Sequence, residues 1–339
     1  MKTLTLITTL CSISLWTVGQ DADSASVYFQ KGITEKETGR YKPAVEYFQR
    51  SVQFDSTRIN SQRELGLAAL EIRQFETAKN AFNKVLQFDS KDTIALDRLT
   101  NFYFSFRKWD DAIRYGLVML ELNIGKKINY LVGKSYYEKE DYGKAFRYLD
   151  AAYKEEPTRA EIPFLFARAL VEMSNYKGAV KYYNEAIALD STKTQWLTEL
   201  ALAYSSLPNE LKAIECYELA LRRGHKADAI FMENLSNSYI SAGMPERGIK
   251  VLVQLLEKRP GDLELLYSVA DTYYRMGKFE TAIEHWGRIL QYDSEDAKSL
   301  YMIGIAYQKN GDKTKGAAIC DKAISMDPSL RNYKQEKKL

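Results

Sequence analysis

A chain of 339 residues that is 45% apolar and 27% charged carries enough apolar surface to fold, which excludes a compositionally disordered protein. Its net charge of +3, with Lys and Arg interspersed among Asp and Glu, excludes the strongly basic surface expected of a nucleic-acid binder. Only 7 residues are proline, which suits helices, whereas 24 are tyrosine.

Residues 1–19 read as a secretory signal peptide: a basic Met1-Lys2 start, an uncharged and mainly apolar run from Leu4 to Val18, and Thr17-Val18-Gly19 ahead of a cleavage point before Gln20. The run is shorter than the roughly 20 residues a membrane-spanning helix needs, so cleavage is expected rather than retention as an anchor. Leu10 stands before Cys11 where lipidation wants a small residue. A periplasmic or secreted location follows, with no transmembrane segment after signal cleavage. Export would leave Cys216 and Cys320, about three repeats apart in the array described next, as buried free thiols.

From residue 20 to about 330 the chain repeats. Asp55-Ser56 and Asp89-Ser90 are 34 residues apart, as are Asp293-Ser294 and Asp327-Pro328. With that period, units start near Ala25, Ile59, Thr93, Lys126, Ala160, Thr194, Ala229, Leu263 and Ala297. Position 8 of each unit is small (Gly32, Gly66, Thr100, Gly133, Ala167, Ala201, Ser236, Ala270, Gly304), and so is position 20 (Ala44, Ala78, Ala112, Ala145, Ala179, Ala213, Gly248, Ala282, Gly316). Tyrosine recurs at position 11, and Phe48, Phe82, Tyr183, Tyr217 and Trp286 stand at position 24. Two apolar runs at helical spacing fill each unit, separated by a short turn such as Met276-Gly277-Lys278. The small columns predict close approach of two helix backbones, and the large residues at 11 and 24 are expected to fill the space between hairpins. The Asp-Ser pairs are expected to cap first helices. Pro43 and Pro245 fall at the starts of second helices and Pro163 in the first turn of a first helix, where no intrahelical N–H is lost.

Two joints break the period: the third unit loses a residue around Ile124–Lys127 and carries Gly116 at its large position, and the sixth gains one around Arg222–Lys226. Residues 331–339 form a polar, basic tail.

This pattern of small at 8, aromatic at 11, Ala at 20, large at 24 and Pro at 32 (Pro157, Pro260, Pro328) resembles the tetratricopeptide repeat family, in the manner of an exported bacterial array. The resemblance implies an all-α, right-handed superhelical solenoid of about nine tandem helix-turn-helix units. It also implies a concave groove lined by first-helix positions 2, 5, 9 and 12. Here those positions include Arg63, Asp97, Asn101, Tyr130, Lys134, Tyr137, Phe164, Arg168, Asn237, Tyr267, Asp271, Tyr274 and Tyr301. Aromatic anchors beside cations at Tyr130, Lys134, Phe164 and Arg168 suit an extended peptide with acidic and apolar residues. One subclass of the family clamps a C-terminal carboxylate with Lys at position 5 and Asn at 9. Asp97 precedes Asn101 here, and Glu233 precedes Asn237, so that clamp is absent in that form.

Catalytic signals are missing. The only histidines, His225 and His285, are too far apart for a metal cluster and have no nucleophile elbow beside them, and no glycine loop could cradle phosphate. No cofactor is expected. The sequence therefore predicts a non-catalytic protein–protein interaction scaffold of the cell envelope, binding a partner protein or extended peptide. The alternatives are a self-associating structural array and a glycan binder using its tyrosines.

Overall fold

The structure, a computed structural model, describes residues 24–125 and 127–332, and these hold eighteen α-helices and a closing 3-10 turn. The signal peptide expected over 1–19, Lys126 and residues 333–339 of the tail lie outside the described residues. The helices are α1 (24–37), α2 (Tyr41–Phe54), α3 (Ile59–Glu71), α4 (Phe75–Phe88), α5 (Thr93–Ser105), α6 (Trp109–Glu121), α7 (Ile128–Glu138), α8 (Tyr142–Glu155) and α9 (Glu161–Glu172). They continue as α10 (Tyr176–Leu189), α11 (Thr194–Ser205), α12 (Glu210–Arg222), α13 (Ala229–Ser241), α14 (Pro245–Lys258), α15 (Leu263–Arg275), α16 (Phe279–Tyr292), α17 (Ala297–Lys309) and α18 (Lys313–Met326), followed by the turn Pro328–Asn332. The fold is an all-α tandem repeat of helical hairpins. None of the described helices is long and apolar enough to cross a membrane.

Two compact units meet between Leu165 and Phe166, inside α9. In the first, Phe48, Phe82, Val85 and Leu99 centre one buried cluster, and Leu96, Met119, Ile128 and Val132 centre another. In the second, Leu252, Leu266, Val269, Trp286 and Met302 belong to a continuous core that runs to Leu330. Eight of the nine hairpins close on a left-handed residue one helical turn after position 11. Gly39, Gly243, Gly277 and Gly311 take that role, and so do Arg73, Arg107, Glu140 and Ser174.

The small columns do what their size allows. A Cβ on Gly66 would lie 2.7 Å from the Phe82 ring, and one on Gly133 2.9 Å from Leu149, so the glycine at position 8 seats the large residue at 24 of its own hairpin. The expectation that positions 11 and 24 fill the space between hairpins is corrected only in part. Tyr217 meets Phe231 of the next hairpin with ring centres 5.0 Å apart, and the Tyr239 hydroxyl donates to Glu218 of the preceding one at 2.7 Å. Both positions also pack within the hairpin, position 24 against position 8 and position 11 by stacking: Tyr103 on Tyr115, Tyr136 on Tyr148 and Tyr273 on His285, each at 5.6 Å between ring centres. The reason is helical phase. Positions 11 and 23 face each other across a hairpin whose backbones the small residues have already drawn together.

A second correction concerns the Asp-Ser pairs. Asp55, Asp89 and Asp293 end second helices instead of starting first ones. Their carboxylates accept from the amides of Thr57, Lys91 and Glu295, each at 3.0 Å, turning the chain toward the next hairpin. The N-cap lies three residues further on. Asp92 accepts from the Ala95 amide at 2.8 Å and Asp296 from the Ser299 amide at 3.3 Å.

Both irregular joints are built into the packing. Opposite Gly116, Val132 of the next hairpin occupies the space that a large residue fills elsewhere, since a Cβ on Gly116 would lie 2.6 Å from it. The chain reaches α7 through left-handed Asn123, Gly125 and Lys127. At the longer joint Gly224 is left-handed, and His225 ties back with Nδ1 3.2 Å from the Thr194 hydroxyl and its ring 4.9 Å from Phe231. Cys216 and Cys320 are buried thiols, and burial pushes the Cys216 thiol up to about 11.

Candidate partner-binding face

On a helix, consecutive residues are rotated by about 100 degrees, so a buried position 8 turns position 9 toward one side of the packed hairpin. Ala167, Ala201 and Ser236 are fully buried, whereas Arg168, Leu202 and Asn237 directly after them are exposed. Asn101 is exposed in the same way on α5, and Lys134 on α7 is half-buried with its ammonium 5.7 Å from the centre of the Phe104 ring.

The other predicted positions divide. Tyr137, Phe164 and Tyr267 are half-buried, Tyr137 beside Tyr142 at 5.9 Å and Tyr267 beneath the Lys298 ammonium at 4.2 Å. Tyr130, Tyr274 and Tyr301 are corrected: they are 6%, 8% and 4% exposed and belong to the packing. Phe164 and Tyr267 share position 5 with Tyr130 and Tyr301, and Tyr137 shares position 12 with Tyr274, so cover is decided by the neighbours each ring meets. Arg159 lies over the Tyr130 ring at 3.5 Å, and Tyr274 packs between Phe279 and Trp286. Burial raises the phenol pKa of all three, so they stay neutral.

The predicted cations also have partners one repeat away. Arg63 donates through Nε to Asp92 at 3.0 Å and ties its own helix to the start of the next hairpin. Arg168 Nε lies 3.5 Å from Glu199 Oε2 on α11. The four-residue patch drawn from the sequence falls in both compact units, with Tyr130, Lys134 and Phe164 in the first and Arg168 in the second.

Within the second unit, a cavity of about 200 Å³ opens between α9, α10 and α11, lined among others by Arg168, Glu172, Tyr176, Tyr183, Glu199 and Leu202. The Tyr183 hydroxyl donates to Glu199 Oε2 at 2.9 Å from the cavity floor. Burial raises the Glu199 carboxyl above its usual range, against the lowering effects of the Tyr183 hydrogen bond and the Arg168 charge. Further along, a polar cavity of about 140 Å³ is walled by Glu233, Asn237, Asp262 and Glu264, with Arg259 bonded to both Glu233 and Asp262. Sequence reasoning missed Glu199, Glu172, Tyr176 and Leu202 as surface residues. Leu202 occupies position 9 and could have been found by the rule that found Arg168. Glu199 sits at position 6, outside the expected lining positions, and no sequence signal marks it.

Among the described residues, no set of three or more His, Cys, Asp or Glu lies close enough to hold a metal ion. His285 is half-buried against Tyr273, with no hydrogen-bond partner at Nδ1.

Family models for the tetratricopeptide repeat match residues 25–58, 136–202 and 297–330, and a TPR repeat model matches 249–311, together more than half of the chain. Among curated proteins, BBSome complex member BBS4 of Bos taurus is 27% identical over 146 residues, which cover 43% of this chain and 28% of that protein. Protein CTR9 homolog of Arabidopsis thaliana is 21% identical over 319 residues, covering 79% of this chain and 29% of its own length. The chain thus spans under a third of the length of either relative. Among solved structures, the C-terminal part of a TPR repeat-containing protein from Cytophaga hutchinsonii matches with a TM-score of 0.56 at 17% identity, covering 68% of this chain and 95% of that one, a likeness of fold alone.

Proposed function

From the premise that this chain belongs to the tetratricopeptide repeat family, and so is a protein–protein interaction scaffold, we propose that it works in the cell envelope and holds a partner polypeptide along the position-9 face of its first helices. The observation that carries this reading is the alternation on α9, α11 and α13. Arg168, Leu202 and Asn237 are exposed beside fully buried neighbours, and open cavities lie against the same helices. Rigid helices presenting mixed polar and apolar side chains give an extended chain fixed contacts at low entropic cost. The envelope location is supported by the basic start and uncharged apolar run of residues 1–19.

The test is a crosslinking pull-down from the native envelope fraction, using the mature chain and a double variant, Leu202→Ser and Asn237→Ala, matched by circular dichroism. A polypeptide captured by the first and reduced at least tenfold by the second is the expected result. Equal capture by both places the binding face elsewhere, and crosslinks only to itself would make the protein a self-associating array. Fractionation of the source cells checks the location, and recovery in the cytosol would overturn it.

A further inference from the structure

The cavity between α9, α10 and α11 has a charge balance opposite to the one Arg168 alone suggests. Among the described residues that line it, Arg168 is the one cation, while Glu172 and Glu199 both line it. Arg168 engages Glu199 through Nε at 3.5 Å, longer than a charge-assisted hydrogen bond. The remaining walls are half-buried Tyr176, the hydroxyl end of the otherwise buried Tyr183 and the apolar flanks of Val171 and Leu202. Leu202 is 44% exposed and stands at the mouth.

Three kinds of side chain could enter. An acidic one would meet two carboxylates. A purely apolar one would strip water from Glu199 and supply no counter-charge, which is costly for an ionised group. A basic one suits the lining: its aliphatic stem lies on Val171 and Leu202, and its head meets Glu199 and Glu172 in place of Arg168. We infer that this cavity is a specificity pocket for a lysine or arginine side chain of the partner polypeptide, with Glu199 as the anion that receives it and Arg168 as a displaceable internal competitor. This rests on the polypeptide-binding reading above and adds the partner's chemistry. It reverses the preference for acidic peptides expected from the sequence, because Glu199 answers Arg168 within the fold.

The competitor role predicts effects of opposite sign. The probe is a displayed library of random twelve-residue peptides, selected on the immobilised chain, with the best peptide then measured by fluorescence anisotropy. The unaltered chain should enrich peptides sharing one Lys or Arg beside apolar residues. Glu199→Gln, which keeps an oxygen to accept from Tyr183, should weaken that peptide at least tenfold. Arg168→Gln should strengthen it about threefold or more. A residue with a merely structural role would weaken binding in both variants. Peptides enriched without a shared basic residue, or a basic residue whose affinity neither variant changes, would overturn the pocket and leave the polypeptide reading standing. No enrichment over a blank surface would overturn both.

Discussion

His285 shows how a single side chain turns packing into a pH response. Its imidazole is stacked on Tyr273 with Nδ1 unpartnered, and burial lowers its pKa from 6.5, helped by the Arg288 charge and opposed by Glu284. Below 6.5 the unfolded chain binds a proton that the folded chain resists, so stability is fully present above that value and falls as the pH drops through it toward the folded pKa. Thermal unfolding at pH 7.5 and pH 5.5 should show a larger loss of Tm for the native chain than for His285→Phe, which retains a ring against Tyr273. Equal losses would remove His285 as the cause. The partnership itself was half legible. Tyrosine at position 11 was a visible column, but its partner at position 23 is Tyr115, Tyr148 or His285, a mixture with no single chemical signature. By contrast, the small column at Gly66 and the large one at Phe82 were both legible, because a close backbone approach admits only small residues at one position and rewards bulk at another, although their meeting within one hairpin was not.

At the scale of helices, the caps separate two roles that one residue type can play. Asp228 accepts from the Phe231 amide at 2.8 Å and does no more than start α13. Asp92 starts α5 in the same way and also accepts from Arg63 while 6% exposed. Asp228→Ala should therefore cost about 1 kcal/mol, the ordinary value of an N-cap. Asp92→Ala should cost roughly 1–3 kcal/mol more, because it also leaves a part-buried guanidinium without its carboxylate partner, with only the Asn60 oxygen still accepting from it. Urea unfolding of the two variants measures the difference, and equal losses would show that the Arg63 pair adds nothing. The misplaced caps have a simple cause. An aspartate before a turn can bond forward to a turn amide or to a helix amide, and the choice depends on where the preceding helix ends, which local composition does not state.

For the whole molecule, each hairpin draws its stability from its neighbours, so damage should stay local. Trp286 is fully buried in the cluster that runs from Ile249 to Leu330. Trp286→Ala should cost roughly 3–5 kcal/mol there. Hydrogen exchange should then lose protection over residues 249–330 while the Phe48–Phe82 cluster keeps its own. Equal loss in both clusters would mean that the chain unfolds as one cooperative body.

The period of about 34 residues, the hairpin repeat and the alternation of small and large residues at positions 8, 20 and 24 followed from the sequence alone, because size complementarity repeated in register leaves few ways to pack, whereas the seating of position 24 against position 8 of its own hairpin did not. Tertiary structure alone decided which first-helix side chains remain available. Tyr130, Tyr274 and Tyr301 share repeat positions with half-buried side chains, yet Arg159, Phe279 and Trp286 cover the first two, and Tyr301 belongs to the core that runs to Leu330. Glu199 gained its place in a cavity only when α9, α10 and α11 came together around it. Availability depends on neighbours a full repeat away, and a pattern read one unit at a time does not contain them.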